Sequence, residues 1–243
     1  MSENEIVKHV EAAYKVAKDA EKHWLHKLKE ILIEIFIIVF AVSLSIWFHN
    51  WSDSLHEHKE EREFLRGLKT DLQADIDAAT GDSSFYATQL HRLSYLQRVG
   101  AGETPNADTL KDNILYILNN TNLEPHISRY EGLKGSGKFG IIENADLLNN
   151  IINLHEVTIK HVETLDNYYN DFTNKMGAFI QEHGQLDQKS NKLGSIDELV
   201  QMRQMRFLLT YGASFISFNI LKSEDSCIVQ CNRLMQQIDK ELQ

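Results

Sequence analysis

A chain of 243 residues with a formal charge of −10 and only two prolines is too acidic to offer a basic face to nucleic acid. From Ser52 onward 19 Lys and Arg stand against 28 Asp and Glu, an excess that gains nothing from an anionic lipid surface. Rich in Leu, Ile, Gln, Glu, Lys and Asn and poor in Val, the composition excludes an all-β sandwich and favours long helices. About 190 residues beyond the apolar segment suffice for one domain with its own core.

Residues 1–30 place Val7, Val10, Tyr14, Ala17, Trp24 and Leu28 at intervals of three, four or seven, which predicts an amphipathic helix, cytoplasmic or lying at the membrane interface. Residues 31–51, ILIEIFIIVFAVSLSIWFHNW, form an almost unbroken apolar run. Eighteen helical residues rise about 27 Å, close to the ~30 Å of a bilayer's hydrocarbon core. The run has no polar face at the 3.6-residue period, and Trp24, Lys27, Lys29, Trp47 and Trp51 flank or close it as interfacial anchors do. It reads as one transmembrane helix. A cleaved signal peptide would be shorter and followed by small residues, so the anchor is expected to stay attached.

Inside the span, Glu34 is either a functional ionisable group or a side chain reaching to the nearby headgroups. Ala41 and Ser45 form a small-x-x-x-small pair that would permit close helix contact. Lys15, Lys18, Lys22, Lys27 and Lys29 precede the span, whereas no Lys or Arg follows it until Lys59. This bias predicts a cytoplasmic amino terminus and places residues 52–243 outside a bacterial inner membrane.

Beyond the span, Leu65, Leu68, Leu72 and Ile76 repeat at three and four, predicting a long helix over 53–99, continuous with the span and interrupted near Gly81 and Asp82. A loop at Gly100–Pro105 precedes a short helix capped by Asn106 or Asp108. Between Ser128 and Asn144, Gly132, Gly137 and Lys138 match G-x-x-x-x-G-K, but Phe139 replaces the Ser or Thr that magnesium needs, and no apolar strand precedes it. Tyr130, Leu133, Gly135 and Gly137 are therefore expected in a turn between helices.

A second long helix is expected from Glu143 to about Glu182, then a polar loop over 185–194. A third helical region starts at Ser195, which with Glu198 fits a capping box, and runs to Leu242 with a break near Gly212. Cys227 and Cys231, at i and i+4, are poorly placed for a mutual disulfide and read as packed or free thiols. The expected fold is all-α: one transmembrane helix followed by an elongated antiparallel bundle of coiled-coil character.

Several segments in order resemble the domain-of-unknown-function family 6090, bacterial single-pass membrane proteins. They are Glu34 in IEIFIIVF, Asn50-Trp51, FLRGLKTDL over 64–72, Tyr130 to Gly137 followed by Ile141-Ile142, and the terminal helix ending Ile238 to Leu242. The resemblance implies an architecture and no activity.

His49, Asp53 and His56 share one helical face but read as solvated interfacial side chains, and His155 and His161 cannot meet on one helix. No H-E-x-x-H, C-x-x-C or G-x-S-x-G occurs, and the carboxylates read as lying on polar helix faces. No enzyme activity, metal or cofactor is expected. The expected function is a membrane-anchored scaffold or accessory subunit that self-associates or binds an envelope protein, with Tyr130, Tyr168, Tyr169 and Phe172 as candidate anchors. An oligomeric pore or ion-coupled device using Glu34 is the alternative, and a helical sensor a further one.

Overall fold

A computed structural model of the chain describes residues 3–186 and 193–243, with the side chains of 29, 31–185 and 193–243. At 86% helix the fold is all-α. The helices are α1 (Glu3–Gly100), α2 (Ala107–Tyr116), α3 (Ser128–Ser136), α4 (Ala145–Asn153), α5 (Lys160–His183), α6 (Ile196–Gln201), α7 (Arg203–Phe215) and α8 (Leu221–Glu241). A short 3₁₀ helix at Lys138–Ile141 follows α3, and single π-helical segments, Leu154–Ile159 and Ile216–Ile220, join α4 to α5 and α7 to α8. Two-residue strands β1 (Gln185–Leu186) and β2 (Leu193–Gly194) pair antiparallel where a loop was expected. Residues 187–192 of that loop lie outside the described residues, as do the side chains of the amino-terminal stripe from Val7 to Leu28.

The chain divides into two units, Met1–Lys59 and Glu60–Gln243. In the first, α1 carries the apolar run. An 18-residue window there has a mean hydropathy of 2.6 and none of it is buried, so this helix is long and apolar enough to cross a membrane. That is consistent with a single-pass membrane protein.

In the second unit the chain makes four passes. The rest of α1 runs forward, residues 107–143 return along it, α4 and α5 run forward again, and α6 to α8 return. Contacts fix these directions: the Lys69 ammonium donates to Asp239, and the Gln97 amide, 28 residues on, donates to the Leu209 carbonyl at 3.1 Å. Lys138 Nζ, late in the first return pass, reaches Glu60 at 2.8 Å. Consecutive passes are thus antiparallel. The first return pass is broken, because α2 and α3 are joined by a non-helical stretch at 117–127.

The sequence explains most boundaries. Gly102, with φ of 107°, turns the chain after α1, and its amide donates to the Val99 carbonyl at 2.9 Å. Asn106 caps α2 as expected, its side chain accepting from the amides of Asp108 and Thr109. Gly137, at φ of 69°, ends α3. Tyr130, Leu133 and Gly135 lie within α3, so of the four residues assigned to a turn only Gly137 occupies one.

Three boundaries differ from expectation. α1 passes Gly81 and Asp82 unbroken, because Gly81 lies on the exposed face and the Asp82 carboxylate turns inward to a partner. Ser195 has φ of 48° and makes no side-chain cap, so the capping box does not form. The break in the last pass falls at Met202, whose ψ of 134° is extended. Gly212 stays inside α7, where the absence of a side chain lets the Phe172 ring approach; an added Cβ would meet it at 2.8 Å.

Two apolar clusters fill this unit. One holds Tyr86, Leu93 and Leu96 of α1 against Tyr169, Phe172 and Met176 of α5 and Leu209 and Ile216 of the last pass. The other holds Leu65, Leu68 and Leu72 against Leu147, Ile151, Val162, Cys227 and Leu234. Two glycines of α1 test this packing. Gly81→Ala meets no atom within 4 Å and should stabilise the protein by about 0.5–1 kcal/mol through lower unfolded-state entropy. Gly100→Ala would bring its Cβ within 2.7 Å of the Val200 carbonyl oxygen and should destabilise it by about 1–3 kcal/mol. Thermal melting of the two variants checks the opposite signs.

Candidate functional site

A polar seam runs through the middle of the bundle. Along α1 the inward positions alternate at three and four: Leu65, Leu68, Leu72, Asp75, Ala79, Asp82, Tyr86, Gln89, Leu93 and Leu96. All of them are buried, including the two carboxylates and the amide. These polar groups serve the non-helical stretch 117–127, whose backbone has no helical ladder of its own. Gln89 Nε2 donates to the carbonyls of Tyr116 and Asn119 at 2.8 and 2.9 Å. The Tyr86 hydroxyl lies 2.9 Å from both the Thr121 carbonyl and Asp166 Oδ1. Thr121 donates its hydroxyl to Asp82 at 2.6 Å, and the His126 amide donates to Asp75 at 2.8 Å. From α5, Asp166 Oδ2 accepts the Leu123 amide at 3.0 Å.

Burial sets the electrostatics of this seam. It raises the Asp166 pKa above the ordinary carboxylate value, against the pull of the Leu123 amide and the Tyr86 hydroxyl. Burial and then the Asp166 charge push the Tyr86 hydroxyl well above its usual range. The sequence pattern had put the carboxylates on solvated faces. Asp75, Asp82, Asp166 and Glu224 are instead buried, the first three because the broken return pass needs acceptors inside the bundle.

Glu224 of α8 differs from the other three. It is fully buried, and neither carboxylate oxygen has a hydrogen-bond partner. Burial, then Asp166, Asp82 and Cys227, raise its pKa to about 8. One and two turns further on, the free, buried thiols of Cys227 and Cys231 interact with each other, and that contact followed by burial pushes Cys231 up. His155, in the first π-helical segment, stacks on Tyr130 with centroids 4.2 Å apart, and burial lowers its pKa below the ordinary value.

At the surface Glu156 accepts from Tyr130 at 2.9 Å and pairs with Lys134 and Lys160. The hydrogen bonds from Lys134, Lys160 and Tyr130 hold its carboxyl down at about 2. Lys138, the lysine of G-x-x-x-x-G-K, pairs with Glu60, and Gly132 lies inside α3, so the segment does not form a phosphate cradle. His49 lies 3.4 Å from Asp53 on an exposed face. Among the described residues no group of three or more His, Cys, Asp and Glu is placed to hold a metal ion.

Of the candidate aromatic anchors, Tyr130, Tyr169 and Phe172 are buried and only Tyr168 is exposed. It belongs to an aromatic ladder whose other members are not among the candidate anchors. Phe207, Tyr211 and Phe215 stack along α7 at 6.1 and 6.3 Å, and Tyr168 stacks on Phe215 at 4.8 Å with its hydroxyl 2.6 Å from that of Tyr211. Phe207 is 65% exposed and Tyr168 49%. The signal was the spacing of four between Phe207, Tyr211 and Phe215, one stripe on a helix.

In the apolar part of α1, Glu34 and Ala41 are exposed, the Ser45 hydroxyl donates to the Ala41 carbonyl at 2.9 Å, and Trp47 and Trp51 stack with planes 3° apart. No family model, curated protein or solved structure matches the chain.

The seam makes a direct prediction. Tyr86→Phe removes the hydroxyl shared by Asp166 and Thr121 and leaves a buried carboxylate short of a donor. The expected loss is about 1.5–3 kcal/mol, read from the shift in chemical denaturation midpoint at unchanged m-value.

Proposed function

We propose that the protein is a membrane-anchored, non-enzymatic scaffold or accessory subunit whose helical domain self-associates or binds an envelope protein. The aromatic ladder of Phe207, Tyr211, Phe215 and Tyr168, exposed at every member but the half-buried Phe215, carries this reading. Rigid aromatic side chains left at the surface, while other aromatics close the core, are what interfaces are enriched in. Arg203, Arg206 and Lys222 are exposed on the same pass. The proposed setting is a bacterial inner membrane crossed once by residues 31–51, with a cytoplasmic amino terminus, in a protein of the domain-of-unknown-function family 6090. The lysine bias before the span supports the orientation, and the ordered motifs support the family.

A second reading, an oligomeric pore or ion-coupled device, is favoured by one observation: Glu34 is the acidic residue of the otherwise apolar stretch 31–48. Two variants separate the readings. Tyr168→Ser with Phe207→Ser touches exposed positions and should leave the melting temperature nearly unchanged. It should weaken association by about 30-fold or more if these are interface anchors, measured as the mass of the detergent-purified protein over a dilution series. Unchanged association would count against the scaffold reading of this face. Glu34→Gln should leave that mass alone, whereas an ion path would lose conduction in reconstituted bilayers.

A further inference from the structure

Three passes of the bundle change from one apolar cluster to the other through a polar position. On α1 the change falls between Ala79 and Tyr86, at Asp82; on α5 between Val162 and Tyr169, at Asp166; on the last pass between Ile220 and Cys227, at Ser223 and Glu224. Asp82 and Asp166 hold the non-helical stretch there through Thr121 and Leu123. Glu224 holds nothing, although it is fully buried with both oxygens unpartnered. The ionisable groups facing it are Asp166 from α5, Asp82 and Tyr86 from α1, and Cys227 from its own helix. All of these are anionic or neutral. One turn before it, the segment Ile216–Ile220 is π-helical, a helix form that is rare and concentrated at functional sites.

We propose that Glu224 is a proton-operated latch: a proton on its carboxyl lets α8 close against Asp82 and Asp166, and loss of that proton loosens the joint through the π-helical segment Ile216–Ile220. Two negative neighbours and no solvent make the ionised form costly in the closed bundle. The sign follows from linkage. The closed state keeps the proton up to about pH 8, while the opened state releases it near the ordinary carboxyl value of 4.5. Closure is therefore firmest below that value and weakens as pH rises. The opening equilibrium grows about tenfold per pH unit between the two values and levels off above the higher one.

Two measurements on the full-length protein in detergent or nanodiscs test the latch over about pH 5 to 9.5. Infrared difference spectra should show a protonated-carboxyl band that persists above neutrality and vanishes near pH 8 in the wild type, and that is absent in Glu224→Gln. Amide hydrogen exchange over residues 212–231, corrected for its intrinsic pH dependence, should accelerate with pH in the wild type and stay flat in Glu224→Gln, which mimics the protonated form. Asp82→Asn keeps an acceptor for Thr121 and removes one repelling charge, so it should move the band's midpoint to lower pH. If Glu224→Gln fails to fold, the wild-type band and its shift in Asp82→Asn decide the matter. A carboxyl already ionised at about pH 6, or pH-dependent exchange that survives in Glu224→Gln, would overturn the proposal.

Discussion

Backbone amides and carbonyls taken out of water must find partners, and that requirement governs both units of this chain. Where the side chains are apolar on every face, as over residues 31–48, only an unbroken helix can meet it in lipid, because the helix satisfies its own ladder. Where the first return pass loses its helix between α2 and α3, the partners come from neighbours. Asp75, Tyr86 and Gln89 on α1 and Asp166 on α5 supply them, and Asp82 holds the Thr121 hydroxyl beside them. The buried carboxylates are the price of an irregular segment within a helical bundle.

The requirement also explains what the sequence disclosed and what it hid. Helix lengths were legible from the recurrence of Leu and Ile at three and four, and the Asn106 cap from residue type alone. The break at Met202 was not, since no Gly or Pro marks it. Ser195 and Glu198 offered a sound local signal, but the chain arrives at Ser195 after the β1–β2 pairing with positive φ, in a conformation from which its hydroxyl makes no cap. The polar seam was encoded yet easy to misread. Continuing the alternation of three and four past Leu72 leads to Asp75 and Asp82 as core positions. An acidic residue on a helix is normally solvated, and nothing local distinguishes these two from their exposed neighbours.

The candidate sites differ in the same way. Aromatic residues can be core or interface, and only burial divides Tyr169 from Tyr168, adjacent in sequence and on opposite sides of that division. The ladder on α7 is built from a spacing visible in the sequence, but its exposure depends on which face of α7 turns toward Phe172 and Leu93, as the tight packing around Gly212 shows. Glu224 was invisible for a different reason. Its neighbours Asp82 and Asp166 lie 142 and 58 positions away along the chain, so their mutual repulsion exists only once the passes are assembled.

None of the most apolar window of α1 is covered by the protein itself, and lipid is the solvent that such a helix suits. Alkaline carbonate extraction of membranes from cells expressing the full chain is the most direct measurement. The protein should sediment entirely with the membranes after the wash, and a variant with Ile37, Ile38 and Val39 changed to Asp should be released. Recovery of the wild-type chain in the soluble fraction would contradict the account at its base.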